Sequence, residues 1–291
     1  MKNINVAQGW RDYVLLDAGR GEKLEVWGDV KVIRPDPQAF WPRSKQIDWT
    51  NPHMHYHRSK SGGGTWEIKG DNVPEAWKIG YKGMKFHIRP TGFKHMGLFP
   101  EQAVNWTWLQ EKIANIPGQA SILNLFAYTG GATVACLKAG ANVTHIDAAK
   151  GMNRVAKENI ALSKLEYIPH RVMADDVLKF VQREGRRGNR YHGIIMDPPV
   201  FGRGPGGEMW KLEEKLYELV YAAFELLAPG GNSFMLINAY TAGFSPAAYG
   251  NILDIIMSKK NLPGKVSVGE VGLEAKSGIV LPCGMFARWE G

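Results

Sequence analysis

Length, composition and charge set broad limits on this 291-residue chain. Its hydrophobic fraction of 44% and its charged fraction of 22% are ordinary for a globular protein. The only two cysteines, Cys136 and Cys283, exclude a disulfide framework, and no apolar run is as long as a membrane span. We therefore expect a cytoplasmic protein that does not enter a membrane.

The positive charge is concentrated in the first hundred residues. The chain has 36 basic and 28 acidic residues, a net charge of +8, and residues 1–100 hold 16 of the former and 10 of the latter. The same stretch holds six of the ten tryptophans. A basic surface with interleaved aromatic rings suits a nucleic acid whose bases can stack. Equally, the tryptophans can build a small β core that the charge keeps in solution.

Short alternating segments predict a small antiparallel β domain at residues 1–90. Strands joined by tight turns are predicted within 13–34, and strand character returns at 66–69, 77–79 and 84–89. A loop is predicted between them, containing His53–His57 and Gly62–Gly64. The histidines alternate along the chain, but no cysteine lies near them. We therefore predict no metal site, and a loop that faces solvent or nucleic acid.

A second domain is predicted for residues 91–291. It opens with a helix from Pro100, and strand–helix alternation follows from residue 121. Five crossover units and a terminal strand pair predict an α/β fold with a seven-stranded, doubly wound, Rossmann-like sheet. The strands are predicted at 121–126, 142–147, 169–174, 191–197, 232–239, 265–274 and 279–288. The helices are predicted at 131–139, 151–162, 176–184, 208–227 and 246–259.

The turn after the first of these strands, 126–131, has the features of a cofactor-binding loop. Gly130 and Gly131 let the backbone approach a ligand, with the next helix pointing its N-terminus at it. The third glycine of a dinucleotide cradle is missing, which argues against a nicotinamide dehydrogenase and favours a ligand with an amino-acid end and no phosphate. The alternative is a tight turn with no ligand.

Acidic residues end the next two strands. Asp147 can accept hydrogen bonds from both hydroxyls of a ribose, and the alternative for it is a helix cap. Of Asp175 and Asp176, one can accept a hydrogen bond from an adenine amino group while the other caps the following helix. We assign Asp176 to the adenine.

The fourth predicted strand leads into Asp197-Pro198-Pro199-Val200-Phe201. The prolines hold the backbone extended, so that the Asp197 carboxylate and the Pro198 carbonyl form a pair of acceptors for an exocyclic amine. Phe201 is placed to stack on a base. The alternative is a rigid turn. Together these four segments predict an S-adenosylmethionine-dependent methyltransferase with Asp197, Pro198, Pro199 and Phe201 at its catalytic site. The glycine-rich segment 202–207 behind them is predicted as a mobile flap or a linker to the helix at 208.

Residues 85–291 resemble the class I S-adenosylmethionine-dependent methyltransferases. More narrowly, they resemble the bacterial family that contains the large-subunit 23S rRNA cytosine-C5 methyltransferase. The matching pieces are 91–102, 123–131, Asp147, 156–159, 175–176 and 196–201. The resemblance implies cofactor contacts by Phe126, Thr129, Gly130, Asp147, Asp176 and Asp197, and by Lys94, Gln102 and Trp106. The neighbouring residues in the predicted cofactor site are Ala127, Tyr128, Gly131, Ala148, Asp175 and Val177.

This chain departs from that family in two ways. The family's catalytic cysteine follows the fifth strand, where this chain has 238–243 and no Cys. The family's N-terminal RNA-binding module is not recognisable either. Because the cysteine is missing, we expect methylation of an exocyclic amine of a nucleobase and not of cytosine C5. The resemblance implies an RNA substrate, with rRNA favoured. The alternatives are a methyltransferase for a protein or small-molecule amine, and a non-catalytic nucleic-acid-binding protein on the same fold.

Overall fold

The computed structural model describes residues 4–59, 63–240 and 243–291. These residues form two compact units. The large unit comprises 105–270 and 284–291, and the small unit comprises 4–104 and 271–283. The predicted domain boundary is at residue 90, whereas the two units separate after residue 104 and the small unit has a second segment near the C-terminus.

The first eight strands precede all the helices. They are β1 (Ile4–Val6), β2 (Tyr13–Gly19), β3 (Glu22–Trp27), β4 (Val30–Pro35), β5 (Met54–Arg58), β6 (Gly64–Ile68), β7 (Trp77–Tyr81) and β8 (Met84–Ile88). A five-stranded sheet has the order β2-β3-β4-β5-β6, and β7 and β8 form a separate hairpin. Alternate residues of β2 are buried, as expected for a strand with one face on a core.

Two details of this region differ from the sequence analysis. The segment His53–His57, predicted to be a loop, contributes strand β5, and β5 pairs with β4 in parallel. The other pairs in the five-stranded sheet are antiparallel. Met54 and Tyr56 are buried while His55 and His57 point to the other face, so this strand follows the ordinary two-residue alternation. A loop is predicted here because three polar histidines hide the alternation of buried and exposed positions in the sequence.

The second half of the chain alternates strands and helices. A 3₁₀ turn (Pro100–Gln102) leads into α1 (Ala103–Ala114), followed by β9 (Ser121–Leu125), α2 (Gly131–Lys138), β10 (Asn142–Asp147), α3 (Lys150–Leu162), β11 (His170–Ala174), α4 (Val177–Arg187) and β12 (Gly193–Met196). Then come β13 (Phe201–Arg203), β14 (Met209–Lys211), α5 (Leu212–Phe224), β15 (Phe234–Ala239), α6 (Pro246–Lys260), β16 (Lys265–Glu274) and β17 (Val280–Glu290).

The large sheet has the strand order β1-β16-β17-β15-β12-β9-β10-β11. Strands β11, β10, β9, β12 and β15 are parallel, and β17 is antiparallel to β15. This confirms the predicted fold class, to which β1 adds an eighth strand. The order reverses direction beside β9, which makes the carboxyl end of β9 the place where such sheets bind ligands.

The core of the large unit lies between this sheet and its helices. All six residues of β15 are buried, as expected for a strand covered on both faces. Phe180, Leu219 and Leu253 on three different helices are fully buried in the same apolar cluster. Burying one such side chain contributes about 1.5–3 kcal/mol. The same cluster contains Leu125, Ile146 and Met196, so the ends of β9, β10 and β12 are packed into the core. None of the helices in the described part of the chain is long and apolar enough to span a membrane.

Candidate cofactor and catalytic site

The polar residues predicted to act together lie at neighbouring strand ends. Leu125 at the end of β9 is in register with Ile146 of β10 on one side and with Met196 of β12 on the other. The next residue along each strand is Phe126, Asp147 and Asp197 respectively. Neighbouring strands lie about 4.8 Å apart. The two carboxylate residues therefore flank Phe126 on one rim of the sheet.

Backbone hydrogen bonds continue the ladder past the strand ends. The N–H of Asp197 donates to the Leu125 carbonyl at 3.3 Å, and the N–H of Ala127 donates to the Ile146 carbonyl at 3.1 Å. On the far side of β10, the N–H of Asp175 reaches the Asp147 carbonyl at 3.4 Å. These bonds fix the height of each polar residue along the rim.

The turn between β9 and α2 has a strained backbone. Phe126 and Tyr128 have φ values of 52° and 51°, and Gly130 has a φ of 83°. Left-handed backbone at bulky residues is uncommon and is concentrated at functional sites. At Gly130 an added Cβ would lie 3.0 Å from the Cβ of Ala156, so both the close approach of helix α3 and the positive φ favour glycine. The predicted cofactor loop is therefore a rigid structure.

Asp147 holds this turn in place. Its Oδ2 accepts a hydrogen bond from the Tyr128 N–H at 2.9 Å, and its Oδ1 accepts one from the Ala149 N–H at 2.8 Å. Burial raises the pKa of the Asp147 carboxyl, while the two N–H groups oppose that rise. Each carboxylate oxygen has a further lone pair for a ligand hydroxyl. The N-terminal cap of α3 is Ala149, so the helix-cap alternative for Asp147 does not describe this site.

Helix α3 supports the turn through residues whose roles the sequence analysis did not assign. The Asn159 amide donates to the Thr129 carbonyl at 2.9 Å, and the Asn153 amide donates to the Asp147 carbonyl at 3.0 Å. Asn159 is fully buried and Thr129 is 3% exposed. The segment 156–159, noted only for its resemblance, thus contains Ala156 beneath Gly130 and the asparagine that binds the turn.

A buried polar chain fastens α2 to the sheet. The Asn124 amide donates to the Thr133 hydroxyl at 2.9 Å, and Thr133 Oγ1 lies 2.9 Å from His145 Nδ1. Burial lowers the pKa of His145 to about 4, which keeps the imidazole neutral. Sequence periodicity cannot identify such a chain, because its members come from β9, α2 and β10.

The two acidic residues after β11 have different surroundings. Asp175 accepts the Asp176 N–H with Oδ1 and forms an ion pair with Arg183 through Oδ2. Asp176 caps α4, because its Oδ1 accepts the Lys179 N–H at 2.9 Å. The residue that the sequence analysis assigns to adenine is therefore the helix cap. The capping bond engages only Asp176 Oδ1, and the adenine role of Asp176 stays a prediction. Ala148 and Val177 follow the two acidic strand ends directly.

The segment Asp197–Phe201 is anchored by Trp210. The Trp210 indole N–H donates to the Pro199 carbonyl at 2.7 Å, and its ring centroid lies 4.7 Å from that of Phe126. Trp210 is 6% exposed, whereas Phe201 is 57% exposed. One buried tryptophan thus connects the proposed catalytic segment to the cofactor turn, and Phe201 remains on the surface beside them.

Residues 201–211 form a hairpin, which corrects the predicted helix start at 208, while a flap role for this segment stays a prediction. Phe201 pairs with Lys211, and Arg203 with Met209. Helix α5 begins only at Leu212, because the strand pairing takes up 209–211.

The hairpin is held at its tip by polar contacts. Glu208 accepts hydrogen bonds from the Gly206 N–H and from the Lys179 ammonium of α4. A Cβ added at Gly204 would lie 2.9 Å from Asp176 Oδ2, which places the tip of the hairpin against that carboxylate.

The remaining predicted contacts are divided between the units. Lys94 and Gln102 belong to the small unit, and Trp106 to the large one. Burial, aided by neighbouring Lys23, lowers the pKa of Lys94 to about 8, and its ammonium donates to the Pro35 carbonyl. Gln102 and Trp106 are buried. Their roles toward a cofactor stay predictions.

Neither cysteine has the surroundings of a nucleophile. Cys136 is fully buried in α2, and burial raises the pKa of its thiol. Burial likewise raises the pKa of Cys283, which lies in the small unit. A thiol with a raised pKa is a poor nucleophile at neutral pH. The stretch 238–243, where the resembling family has its cysteine, includes Thr241 and Ala242, which lie outside the described residues.

The sheet order and the acidic strand ends define a methyltransferase of the Rossmann-like class. Residues 48–249 match the sequence profile of the S-adenosylmethionine-dependent methyltransferases, and the chain belongs to this family. Its cofactor is accordingly S-adenosylmethionine. A crystal structure of the SAM-dependent methyltransferase from Agrobacterium tumefaciens is 36% identical, with a TM-score of 0.91 over 99% of this chain and 93% of that one. The SMU.776 structure, solved with SAH, shares the fold at 17% identity, with a TM-score of 0.72 over 97% of this chain and 76% of that one.

Curated relatives match a shorter part of the chain. Ribosomal RNA large subunit methyltransferase K/L of Pseudoalteromonas atlantica is 32% identical over 151 residues, which cover 51% of this chain and 20% of that protein. Ribosomal RNA large subunit methyltransferase I of Enterobacter sp. is 28% identical over 165 residues, which cover 56% of this chain and 40% of that protein. The chain therefore matches between a fifth and two fifths of the length of these relatives.

Proposed function

We propose that this protein transfers a methyl group from S-adenosylmethionine to an exocyclic amine of a nucleobase in RNA, with rRNA as the favoured substrate. The main support for the proposal is the register of three adjacent strands, which places Asp147 and Asp197 on either side of Phe126 at one edge of the sheet. One carboxylate faces the cofactor turn and the other opens the proline-stiffened segment. A cofactor and an amine can therefore meet between them.

The cofactor half of the proposal rests on the turn and the two acidic strand ends that follow. Asp147 accepts the ribose hydroxyls, with each charge-assisted hydrogen bond contributing about 1.5–3 kcal/mol. The turn 126–131 approaches the amino-acid end of the cofactor with its backbone, and Asp176 Oδ2 accepts the adenine amine. The fixed geometry of the turn supports these roles, because a preformed site loses little entropy on binding.

The chemical step is a single displacement. Bound S-adenosylmethionine supplies an electrophilic methyl group on a sulfonium. The Asp197 carboxylate and the Pro198 carbonyl accept hydrogen bonds from the two N–H groups of the target amine and direct its lone pair at that methyl carbon. The N–C bond forms as the C–S bond breaks, the thioether product leaves, and the nitrogen then loses a proton to solvent. Catalysis of this kind depends chiefly on placement.

The chain's own cysteines argue against C5 methylation of cytosine. That reaction needs a thiolate that adds to C6 of the ring. Burial raises the pKa of the Cys136 thiol and of the partly buried Cys283 thiol, which disfavours the thiolate of each. An exocyclic amine has its own lone pair and needs no such nucleophile. The amine is therefore the better target for the residues present.

The outer face of the hairpin supports a nucleic-acid substrate. Phe201, Arg203, Met209 and Lys211 are all exposed, and their pairing places an aromatic ring and two cations beside the catalytic segment. Aromatic rings stack on bases, and cations contact phosphates. The net charge of +8 and the names of the curated relatives agree with RNA. A cytoplasmic location, predicted from the cysteine content, fits the same substrate.

Binding of the cofactor tests the first half of the proposal. Calorimetric titration of the purified protein with S-adenosylmethionine should show one site, and Asp147→Ala should weaken it by at least roughly 10-fold, the loss of one charge-assisted hydrogen bond. Asp254→Ala removes an exposed carboxylate from α6 and serves as the matched control. Equal affinities for the two variants would contradict the assigned role of Asp147.

Transfer of labelled methyl groups tests the substrate. We expect incorporation into unmodified rRNA, and little into DNA, protein or small amines, with mass analysis of nucleosides showing an N-methylated base. Asp197→Asn should lower the rate of transfer by far more than it weakens cofactor binding, because Asp197 is placed at the catalytic segment as well as beside the cofactor. Incorporation into protein alone would refute the RNA assignment, and a 5-methylcytosine product would refute the amine. Cofactor binding with no transfer to any fraction would favour the non-catalytic alternative.

A further inference from the structure

Three potential metal ligands lie together on the sheet of the small unit. Glu67 of β6 is directly opposite His55 of β5 in the antiparallel register, and His57 lies two residues further along β5. Residues two apart on a strand face the same side. The histidines and the glutamate therefore share one face of the β5–β6 pair.

The side chains of these residues converge. One ligand atom from each of His55, His57 and Glu67 lies within 4.8 Å of the other two. The imidazole centroids are 4.1 Å apart, and His57 Nε2 is 2.9 Å from Glu67 Oε2. Two imidazoles and a carboxylate at this spacing can be drawn onto one cation by small side-chain rotations, because metal–ligand bonds of about 2 Å put neighbouring ligands about 3–3.5 Å apart.

A second carboxylate orients one of the histidines. Glu22 of β3 lies 2.7 Å from His55 Nε2 and is itself paired with Arg43. Histidines that bind metals usually donate their other ring N–H to a carboxylate, which fixes the tautomer. With Nε2 donating to Glu22, the lone pair of His55 is on Nδ1. This contact supplies the outer partner that a metal-binding histidine needs.

The groups that compete with a cation are weakly held. Lys69 lies 3.2 Å from Glu67, but the side chains of both are 46% exposed. His57 is also about half exposed, at 49%. Exposed ion pairs contribute little, so a divalent cation can displace the ammonium of Lys69.

We propose that His55, His57 and Glu67 bind a divalent transition-metal ion of the zinc class, with water completing the coordination. Two imidazoles and one carboxylate are the donor set that such ions accept, and hard ions such as Mg²⁺ prefer oxygen alone. The bound ion links β5 to β6. The proposal replaces the prediction of no metal site and is independent of the proposed methyl transfer.

The test is a titration of the chelator-treated full chain with Zn²⁺ in competition with a chromophoric chelator. One high-affinity equivalent per chain is expected. His57→Ala and Glu67→Gln should each weaken it by at least roughly 10-fold, and Glu22→Gln by about 10-fold through loss of orientation. His87→Ala, in β8 of the same unit, is the matched control and should leave the affinity unchanged. Affinity that is the same in all variants would overturn the proposal.

A measurement on the unsubstituted protein guards against a misfolded variant. X-ray absorption of the chain loaded with one equivalent of Zn²⁺ should show two imidazole ligands and low-atomic-number scatterers at about 2.0–2.1 Å. A spectrum with one imidazole or none would overturn the assignment. Mg²⁺ in excess should not displace the bound Zn²⁺, and displacement by Mg²⁺ would contradict the proposed donor set.

Discussion

Replacement of Trp210 by phenylalanine isolates the hydrogen bond that holds the catalytic segment. The indole N–H lies 2.7 Å from the Pro199 carbonyl, while the ring contact with Phe126 depends on the aromatic face. Phenylalanine keeps most of that face and removes the donor. A neutral hydrogen bond contributes about 0.5–1.5 kcal/mol net. Because Pro199 is exposed, we expect loss of this hydrogen bond to lower the free energy of unfolding by about 1 kcal/mol, in addition to the packing that any buried Trp→Phe change loses.

The effect of this substitution on rate should exceed its effect on cofactor binding. A displacement depends on placement of the amine, and misplacement by about 1 Å costs about 100-fold. Partial loosening of the segment around Pro199 should reduce the rate of methyl transfer about 10-fold, which is about 1.4 kcal/mol. Single-turnover transfer at saturating S-adenosylmethionine measures this rate, calorimetry measures cofactor affinity, and urea unfolding measures stability.

Trp289 provides the matched control for this experiment. It is 4% exposed in the same core, and its indole nitrogen has no hydrogen-bond partner among the described residues. Trp289→Phe should therefore cost stability through lost packing alone and leave the rate unchanged. The role of Trp210 is refuted if Trp210→Phe transfers methyl groups at the original rate, or if Trp289→Phe slows transfer as much.

Three further changes test the turn and the substrate face. Burial raises the pKa of Asp147, so cofactor affinity should fall as the pH drops through that raised pKa. Over the same range the free energy of unfolding of the unliganded protein should rise, because the folded state binds the proton more tightly than the unfolded state. Asp147→Asn should flatten the pH profile of binding measured by calorimetry. Asn159→Ala removes the hydrogen bond that its amide donates to the buried Thr129 carbonyl, so thermal unfolding should show a loss of about 1 kcal/mol or more, together with weaker cofactor binding; unchanged stability would contradict this support. Phe201→Ala should lower RNA affinity by about 1–3 kcal/mol in a filter-binding assay, with Phe201→Trp restoring it. Loss of cofactor affinity in Phe201→Ala would contradict this role, because it would place the ring in the cofactor site and not on the RNA-binding face.

The fold and the rim residues were accessible from the sequence because their signals are local. Buried strands of the large unit such as β12 and β15 are largely apolar, and acidic residues mark two of the strand ends, because β10 ends in Asp147 and β12 is followed at once by Asp197. Parallel strands connected by helices must end at the same edge, so Asp147 and Asp197 were expected together before their register was known. That expectation is confirmed by the pairing of β9 with both neighbours.

The supporting residues were not accessible, because their partners are distant in sequence. Asn159 reaches back 30 residues to Thr129. The hairpin at 201–211 was missed since each of its strands has only three residues, and its glycine-rich turn resembles a linker. Strand β5 was missed since its exposed positions carry histidine. For Asn159 and β5 the deciding contacts are distant in sequence, and for the hairpin the strands are too short for local composition to predict them.

The proposed cofactor site takes its residues from several strand–helix units, which couples cofactor binding to unfolding of the parallel sheet. The residues assigned to the cofactor come from the ends of β9, β10, β11 and β12, and no single strand–helix unit contains more than a part of them. A ligand that contacts all of them binds only when the whole parallel sheet is assembled. S-adenosylmethionine at about 100 times its dissociation constant would then add about 2.7 kcal/mol to the stability of the entire large unit. Hydrogen exchange should accordingly slow in the central strands as well as in the turn when the cofactor is bound.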